Sequence, residues 1–249
     1  MDYDYGRFVW FELLTTEVDK AQAFYGEVAG WKSTTMEMPG GMKYPMILQG
    51  ETPIGGFVPP PRPDVPPHWV SYVSVEDVNA TAKRIDELGG KALMDAFDAP
   101  GVGRMQPVAD PQGAAVFLFH AADGDKPAAE GAGAFHWNEL ATSDVDAAVA
   151  FYTKIFGYTA EPMEMPNGTY VVLKDGETPR GGVMAAPDGS GDPHWQQYIA
   201  VDDCDAAVGR AERNGGKVVM PAIDVEGVGR FAHVADTVGG VIGLIKPAQ

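Results

Sequence analysis

The order of hydrophobic and polar residues in the first part of the chain returns after its middle. Two apolar runs, RFVWFELLT from Arg7 and AFHWNELAT from Ala134, have the composition of β-strands. Each run is followed by a segment in which apolar residues recur every three or four positions, the spacing of one face of an α-helix. These residues are Val18, Ala21, Tyr25 and Val28 in the first segment and Val145, Ala148, Tyr152 and Ile155 in the second. The pattern therefore predicts a strand and then a helix at two places.

Polar residues and glycines mark the ends of the next elements. Thr16 and Ser143 are placed to cap the two helices. The alternating segments YPMILQG and TYVVLKDG follow the helices and predict strands. The motifs GETPIGG and GETPRGG come next, and their last glycines are Gly56 and Gly182. Such glycine pairs allow close approach of backbone or ligand, although they more often form turns.

A second strand and helix follow in each copy. The segments HWVSYVSVEDVNATAKRIDELGG and HWQQYIAVDDCDAAVGRAERNGG begin with a strand pattern, and Asp77 or Asp203 is then placed to cap a helix. Two further strands end in AAVFLFH and GVIGLIK. Each copy thus contains two strand-helix-strand-strand-strand modules. The whole chain contains four such modules, which predicts an α+β fold.

Equivalent landmarks in the two copies keep a nearly constant separation along the chain. Trp10 recurs as Trp137, 127 positions later, and the motifs GETP, PHW and GVGR each recur 126 positions later. Two copies of one unit explain this shared order of aromatic, glycine and charged residues. We predict a first domain at residues 1–120, a linker without apolar periodicity at 121–134, and a second domain at 135–249.

The acidic composition narrows the range of partners. The 249 residues include 35 acidic and 18 basic side chains, and the formal charge of −17 at pH 7 disfavours binding to nucleic acids or anionic membranes. The lone cysteine, Cys204, cannot form an internal disulfide, and no apolar run of the sequence has membrane-spanning length. We predict a cytoplasmic protein, a monomer or homodimer, whose partner is a small-molecule ligand.

Two segments carry a family resemblance, TEVDKAQAFYGEVAGW and TSDVDAAVAFYTKIFGY, together with the motif ADPQG near the end of the first copy. They resemble the vicinal oxygen chelate superfamily, which contains glyoxalase I, extradiol dioxygenases and bleomycin-resistance proteins. The chain looks most similar to two-domain members that carry glyoxalase-like or hydroxylase names. The resemblance implies four βαβββ modules that form two tandem glyoxalase-like, half-open barrel domains, each around a cavity.

The same resemblance implies metal-ligand positions on the strands. Here those positions hold Trp10, Val70 and Phe117 in the first copy and Trp137, Gln196 and Gly243 in the second. A catalytic metal normally needs about three protein ligands, and these residues are not usual ones. We therefore predict no metal and no cofactor. An atypical divalent metal site built from glutamate and histidine is the alternative.

Polar residues beside these positions are candidates for chemistry. Alternate residues of a strand share a face, so Glu12 and Glu139 face the predicted cavities together with Trp10 and Trp137. The same parity adds His68 and Tyr72 in the first copy and His194 and Tyr198 in the second. Glutamate and histidine suit general acid/base catalysis, and the aromatic side chains suit binding of a planar substrate.

Structural roles are the alternatives for several candidates. The two glutamates could bond a neighbouring loop, and the two histidines, each between proline and tryptophan, could hold the start of a strand. Arg104 and Arg230, in the repeated motif GVGR, could bind an anionic substrate group, but pairing with acidic side chains is commoner. Cys204 has no partner that would make it a catalytic thiol.

Two functions are compatible with these residues. One is a lyase, isomerase or oxygenase that uses acid/base chemistry without the usual metal, for which Glu12, Glu139, His68 and His194 would converge on the ligand. The other is a protein of the bleomycin-resistance type that sequesters a small molecule between aromatic walls without changing it. Both hypotheses predict a ligand cavity in each half.

Overall fold

The computed structural model describes residues 1–38, 40–41, 43–165, 168–187 and 191–248. Within these ranges the chain forms seventeen strands and four helices. Each helix is preceded by one strand and followed by at least three, which confirms the predicted α+β fold and the four βαβββ modules.

The first half contains the elements of two modules. They are β1 (Phe8–Leu14), α1 (Val18–Ala29), β2 (Lys32–Glu37), β3 (Lys43–Gln49), β4 (Thr52–Val58), β5 (His68–Ser74), α2 (Val78–Glu87), β6 (Lys91–Ala92), β7 (Phe97–Ala99), β8 (Gly103–Ala109) and β9 (Ala115–Ala121). Strands β6 and β7 are short, and both pair with β8.

The second half repeats the same order. Its elements are β10 (Phe135–Thr142), α3 (Val145–Phe156), β11 (Thr159–Met165), β12 (Gly168–Asp175), β13 (Thr178–Ala185), β14 (His194–Ala200), α4 (Cys204–Arg213), β15 (Lys217–Val225), β16 (Gly229–Ala235) and β17 (Val241–Pro247). The single long strand β15 stands where the first half has β6 and β7.

Each half of the chain supplies one sheet. The strand order is β2-β3-β4-β1-β5-β9-β8-β6 in the first sheet and β11-β12-β13-β10-β14-β17-β16-β15 in the second. In each sheet the first strand of the half pairs in parallel with the fourth strand along the chain. These pairs are β1 with β4 and β10 with β13. The neighbouring hairpins are antiparallel. The identical order confirms the duplication that the sequence predicts.

The helix caps agree only in part with the sequence. The caps Asp77 and Asp203 are confirmed, since each carboxylate accepts the backbone N–H three residues later. The prediction that Ser143 caps a helix is wrong, because the carboxylate of Asp144 caps α3. The prediction for Thr16 is also wrong, because Glu17 takes the N-cap position of α1 and makes no capping bond with its side chain. None of the helices in the described ranges has the length and hydropathy that crossing a bilayer requires.

The chain forms two compact units. Unit 1 contains residues 1–10, 71–127 and 137–195, and unit 2 contains residues 11–70, 128–136 and 196–249. Each unit combines segments from both halves of the sequence. The predicted division into 1–120, 121–134 and 135–249 follows the repeat and the two sheets, and it stays a prediction for the domains.

A buried chain of hydrogen bonds crosses the core of unit 2. The indole Nε1 of Trp69 donates to the hydroxyl oxygen of Tyr25 at 2.9 Å, and this hydroxyl donates to Oδ2 of Asp236 at 2.8 Å. The other carboxylate oxygen accepts three successive backbone N–H groups of the turn between β16 and β17. Asp236 therefore joins α1 to this turn.

Unit 1 contains the equivalent chain. Trp195 donates to Tyr152 at 3.0 Å, and Tyr152 donates to Asp110 at 3.2 Å. Asp110 also accepts three backbone N–H groups of its own turn, between β8 and β9. Both tyrosines belong to the repeated FY motif, and both aspartates follow a strand. This buried network gives the motif a structural role.

The segment predicted as a linker, 121–134, is held by hydrogen bonds near its end. The indole of Trp31 donates to the carbonyl of Gly133 at 2.6 Å. The side-chain amide of Gln49 donates to the carbonyls of Glu130 and Ala132 at 2.7 and 2.8 Å. These bonds lie within unit 2 and fix the path of the chain just before β10.

Candidate functional site

A buried glutamate and a tyrosine are paired in the first half. Glu12 lies in β1 and is only 7% exposed. Its Oε1 accepts a hydrogen bond of 2.6 Å from the hydroxyl of Tyr44, in β3. A hydroxyl that donates to a carboxylate forms a short, charge-assisted bond, and such bonds are among the stronger ones in proteins. The pair therefore fixes the carboxylate at a defined place on the sheet.

Gly56 makes room for this pair. It lies in β4, in register with Glu12 of β1 and Met46 of β3. A Cβ atom at Gly56 would overlap the hydroxyl of Tyr44. The glycine pair of GETPIGG is thus part of a strand, and its interpretation as a turn is wrong. The alternative is that the glycine permits the close approach of another group. The structure shows such an approach, and the group is the side chain of Tyr44.

The second half has the same arrangement with one further bond. The indole Nε1 of Trp137 donates to the hydroxyl oxygen of Tyr170 at 2.7 Å, and the hydroxyl of Tyr170 donates to Glu139. Gly182 lies opposite Glu139 in register, and a Cβ there would overlap the Tyr170 hydroxyl. Burial, and then the charge of Glu139, raise the pKa of Tyr170 well above its usual range, so the phenol stays protonated.

Tyr72 is part of an aromatic stack in unit 1. Its ring lies 4.4 Å from the ring of Phe117, with an angle of 17° between the planes, and Phe119 packs edge-on at 6.0 Å. Tyr72 of β5 and Phe117 of β9 are in register. Phe117 occupies the position at which the family resemblance implies a carboxylate ligand. This position therefore belongs to an apolar aromatic surface.

Tyr198 has different neighbours in unit 2. It lies in β14, in register with Gly243 of β17, and a Cβ at Gly243 would overlap its ring. The hydroxyl oxygen of Tyr198 and Nε2 of His233, in β16, are 2.8 Å apart, which is hydrogen-bond distance. The ring of Phe231 packs edge-on against Tyr198 at 5.8 Å.

The residues present do not fit the divalent metal that the resemblance implies. Phe117 and Gly243 offer no donor atom, and the amide of Gln196 donates to the backbone of Gln197 at 3.0 Å. Across the part of the chain that the structure describes, no three or more His, Cys, Asp and Glu side chains are grouped to hold a metal ion. Trp10 and Trp137, at the first-strand positions, provide indoles, which are not metal ligands.

The two candidate histidines are bonded to the backbone. Nδ1 of His68 lies 2.8 Å from the carbonyl oxygen of Pro66, and Nδ1 of His194 lies 2.8 Å from that of Asp192. Each histidine is the first residue of its strand and is half-buried. These contacts support the structural alternative, and a catalytic role for either histidine stays a prediction.

Arg230 is engaged by two carboxylates. Its Nε and Nη2 atoms each donate to Asp205 at 2.8 Å, and Nη1 donates to Asp224 at 2.6 Å. The hydrogen bond from Arg230 lowers the pKa of Asp205. This geometry is the pairing with acidic side chains that is commoner than substrate binding for such an arginine.

Arg104 is paired less completely. Its Nη1 donates to Asp98 at 2.8 Å, and its Nη2 donates to the amide oxygen of Asn79 at 3.1 Å. Asn79 stands where the second half has Asp205. Arg104 also lines a surface cleft of about 450 Å³ with Lys83 and Asp86 of α2. A substrate role for either arginine stays a prediction.

Cys204 has the properties of a structural residue. It is buried at the start of α4, and its thiol donates to the carbonyl of Leu244 at 3.6 Å. Burial raises the pKa of this thiol to about 11, so the reactive thiolate is scarce at neutral pH.

The structure adds three residues that the sequence analysis missed. Tyr44 and Tyr170 bond the two glutamates, and they recur 126 positions apart like the other landmarks. That recurrence is the signal that could have found them. His233 has no such signal, because its counterpart 126 positions earlier is Pro107.

Family models match both halves of the chain. The model described as "Glyoxalase/Bleomycin resistance protein/Dioxygenase superfamily" matches residues 134–243. The model described as "Bleomycin resistance protein-like N-terminal" matches residues 7–46.

Individual proteins are similar over nearly the whole chain. "Putative glyoxylase CFP32" of Mycobacterium bovis is 38% identical over 253 residues, which cover 99% of this chain and 97% of that protein. "Anthracycline biosynthesis protein DnrV" of Streptomyces peucetius is 30% identical over 95% of this chain and 92% of its own. Among solved structures, the Mn(II)-bound glyoxalase from Novosphingobium aromaticivorans superposes with a TM-score of 0.65 at 17% identity, covering 96% of this chain and 81% of that one.

Proposed function

The chain belongs to the glyoxalase/bleomycin resistance/dioxygenase superfamily, and on this premise we propose that it binds a small flat molecule in each half and transfers protons on it through Glu12 and Glu139. The observation that carries the proposal is the glutamate-tyrosine pair, which occurs once in each half. In both halves a glycine leaves room for the tyrosine hydroxyl. Both copies of the repeat thus hold a carboxylate in the sheet through a tyrosine hydroxyl, and this carboxylate is the group proposed to act on the ligand.

The chemistry follows from the carboxylate. An ionised glutamate is an acceptor only, and here each carboxylate accepts the hydroxyl proton of a tyrosine. A fixed carboxylate in a poorly solvated place is a suitable general base for removing a proton from a carbon next to a carbonyl group. Tyr170 stays protonated and orients Glu139 through its hydrogen bond. The reaction class that this arrangement supports is that of a lyase or isomerase.

Binding without turnover is the second candidate function. The half-buried ring of Phe117 stacks flat on the buried ring of Tyr72, and Phe119 packs edge-on against Tyr72, so aromatic side chains are grouped there. The name of the relative DnrV refers to anthracycline biosynthesis, and anthracyclines are flat aromatic compounds. A sequestering protein would need the aromatic surface and would not depend on the charge of either glutamate.

Deuterium exchange separates the two functions. β-Tetralone is a small aromatic ketone whose benzylic proton, next to the carbonyl, exchanges with D₂O when a base removes it, and NMR follows the exchange. We expect the protein-catalysed rate to be lower in the double variant Glu12→Gln/Glu139→Gln by a factor of at least about ten. Glutamine still accepts the tyrosine hydrogen bond, so thermal stability should change little. Glu87→Gln, on the exposed face of α2, is the control.

Binding is measured on the same variants. Quenching of tryptophan fluorescence by a hydroxyanthraquinone reports occupancy of an aromatic site. If the double variant binds this dye and still catalyses exchange at the wild-type rate, the glutamates are not the base. If neither protein exchanges β-tetralone above the buffer rate while both bind the dye, the sequestering function is the correct one.

A further inference from the structure

A row of three residues crosses the second sheet within unit 2. Tyr198, Gly243 and His233 lie on the adjacent strands β14, β17 and β16, and each is in register with the next. The tyrosine ring covers the glycine, because a Cβ there would overlap Cδ1 of the ring. The ring can therefore reach across β17, and its hydroxyl oxygen lies 2.8 Å from Nε2 of His233.

The equivalent row of the first sheet, within unit 1, lacks this arrangement. Tyr72, Phe117 and Pro107 occupy the same positions on β5, β9 and β8 and are also in register. The first half has a phenylalanine side chain where the second half has Gly243, and Tyr72 stacks on it at 4.4 Å, whereas the ring of Tyr198 covers the glycine. Proline has no side-chain donor or acceptor. The hydrogen-bonded pair is therefore a property of the second half alone.

We propose that Tyr198 and His233 form a second proton-transfer site, which acts on a small enolisable carbonyl compound. The hydroxyl oxygen of Tyr198 takes the proton from the carbon next to the carbonyl as its own proton passes to Nε2 of His233. The carbon-hydrogen bonding electrons remain on the ligand as an enolate, and the steps reverse when a proton returns to carbon. No oxidant or reductant is needed. The site goes beyond the function proposed above, because it does not use the glutamates.

The surroundings of the pair suit this role. Tyr198 is 3% exposed, so its ring is held in place by packing, while His233 is half-buried. A hydrogen bond at a poorly solvated position is stronger than one in water, which favours passage of the proton within the pair. Histidine changes its charge in the physiological pH range and is the residue most often used for such transfers. Glycine weakens the interior of a strand, and here its place admits the tyrosine.

The test isolates the pair from the glutamates. In the Glu12→Gln/Glu139→Gln protein we expect β-tetralone to exchange deuterium more slowly than in wild type but still above the buffer rate. Adding either His233→Gln or Tyr198→Phe should lower this remaining rate by a factor of at least about ten. His136→Gln is the matched control, because His136 is an exposed histidine of β10. It should leave the remaining rate unchanged.

Two further variants exclude a merely structural effect. Gly243→Ala keeps both functional groups but forces the ring of Tyr198 to move, and it should lower the remaining rate as much as His233→Gln does. In the triple variant that lacks both glutamates and His233, Phe117→Gly with Pro107→His recreates the row in the first half. This transfer should restore exchange at least about threefold, an outcome that a loss of folding cannot imitate.

The two proposals fail in different ways. A remaining rate that does not respond to His233→Gln or Tyr198→Phe overturns the second site, whatever the glutamates do. A rate at the buffer level in the Glu12→Gln/Glu139→Gln protein overturns it as well. A wild-type rate in that protein, lost on His233→Gln, overturns the role of the glutamates and supports the tyrosine-histidine pair.

Discussion

The position of each tyrosine hydroxyl depends on a missing side chain. Tyr44 and Tyr170 each reach a glutamate across a strand that carries glycine at the crossing point. An alanine would place a methyl group where the hydroxyl lies. The glycine therefore controls the polar pair, although it contributes no functional group. Its cost is the larger backbone entropy that glycine loses on folding.

Replacement of Gly56 tests this dependence. We expect Gly56→Ala to displace Tyr44, break its bond to Glu12 and lower the free energy of unfolding by about 1–3 kcal/mol, as overpacking commonly does. Urea denaturation measures the change. The double variant Gly56→Ala/Tyr44→Ala should lose clearly less than the sum of the two single changes, because removal of the tyrosine relieves the overlap.

Gly26 offers the matched control for Gly56. It lies in α1, where an added Cβ would be 3.5 Å from its nearest neighbour, an ordinary contact distance. Gly26→Ala should raise the free energy of unfolding by about 0.5–1 kcal/mol, because alanine is the better helix former. Equal destabilisation by the two alanine variants would contradict the special role of Gly56.

Buried aspartates join elements that are far apart in sequence. Asp236 binds the turn between β16 and β17 through one oxygen and Tyr25 of α1 through the other. Asp110 makes the same contacts with its own turn and with Tyr152 of α3. Burial raises the pKa of both carboxyls, although the hydrogen bonds act in the opposite direction. Each of the helices α1 and α3 is thus fixed to its unit by an aspartate that binds a proton more tightly in the folded protein than in the unfolded chain.

This shift makes the contribution of the aspartates dependent on pH. A carboxyl whose pKa is higher in the folded protein stabilises most fully below its unfolded pKa, about 3.9, and loses that contribution as pH rises through the folded value. We expect the free energy of unfolding of wild type, relative to Asp110→Asn/Asp236→Asn, to fall as pH rises from about 4. Urea titrations at several pH values measure this difference.

The comparison with the asparagine variant removes unrelated titrations. Asp205 has the opposite shift, because Arg230 lowers its pKa, and its contribution is lost as pH falls. It is present in both proteins and cancels in the difference. A difference that stays flat, or rises with pH, would show that the buried aspartates are not the source of the effect.

Periodicity predicts the elements better than it predicts their contacts. The helical stripe through Ala21, Tyr25 and Val28 is buried as expected, because amphipathic spacing reports which face meets the core. Strand parity predicts only which residues share a face with Glu12, and it cannot tell which strand supplies Tyr44. That contact depends on the register of β1 and β4, which is a tertiary property. The repeat likewise conceals His233, since only one copy has it.

Each compact unit of the molecule depends on both halves of the sequence. Unit 1 joins residues 71–127 to 137–195, and unit 2 joins residues 11–70 to 196–249. The bond of Tyr25 to Asp236 spans 211 positions, and that of Tyr152 to Asp110 spans 42. Division of the chain between the halves would therefore remove one partner from each of these buried aspartates.

Separate expression of the halves tests this dependence at the scale of the whole molecule. We expect fragments 1–127 and 128–249, each alone, to lack a cooperative unfolding transition, because each has lost the segments that complete both units. An unpaired buried aspartate costs about 1–3 kcal/mol or more, a large part of the stability of a small domain. Mixing the fragments should restore the transition in tryptophan fluorescence.

Full-length protein nicked between Pro127 and Ala128 is the control and should remain folded. Cooperative unfolding of either fragment alone, at the denaturant concentration of the intact chain, would show instead that the repeat units at 1–120 and 135–249 fold independently.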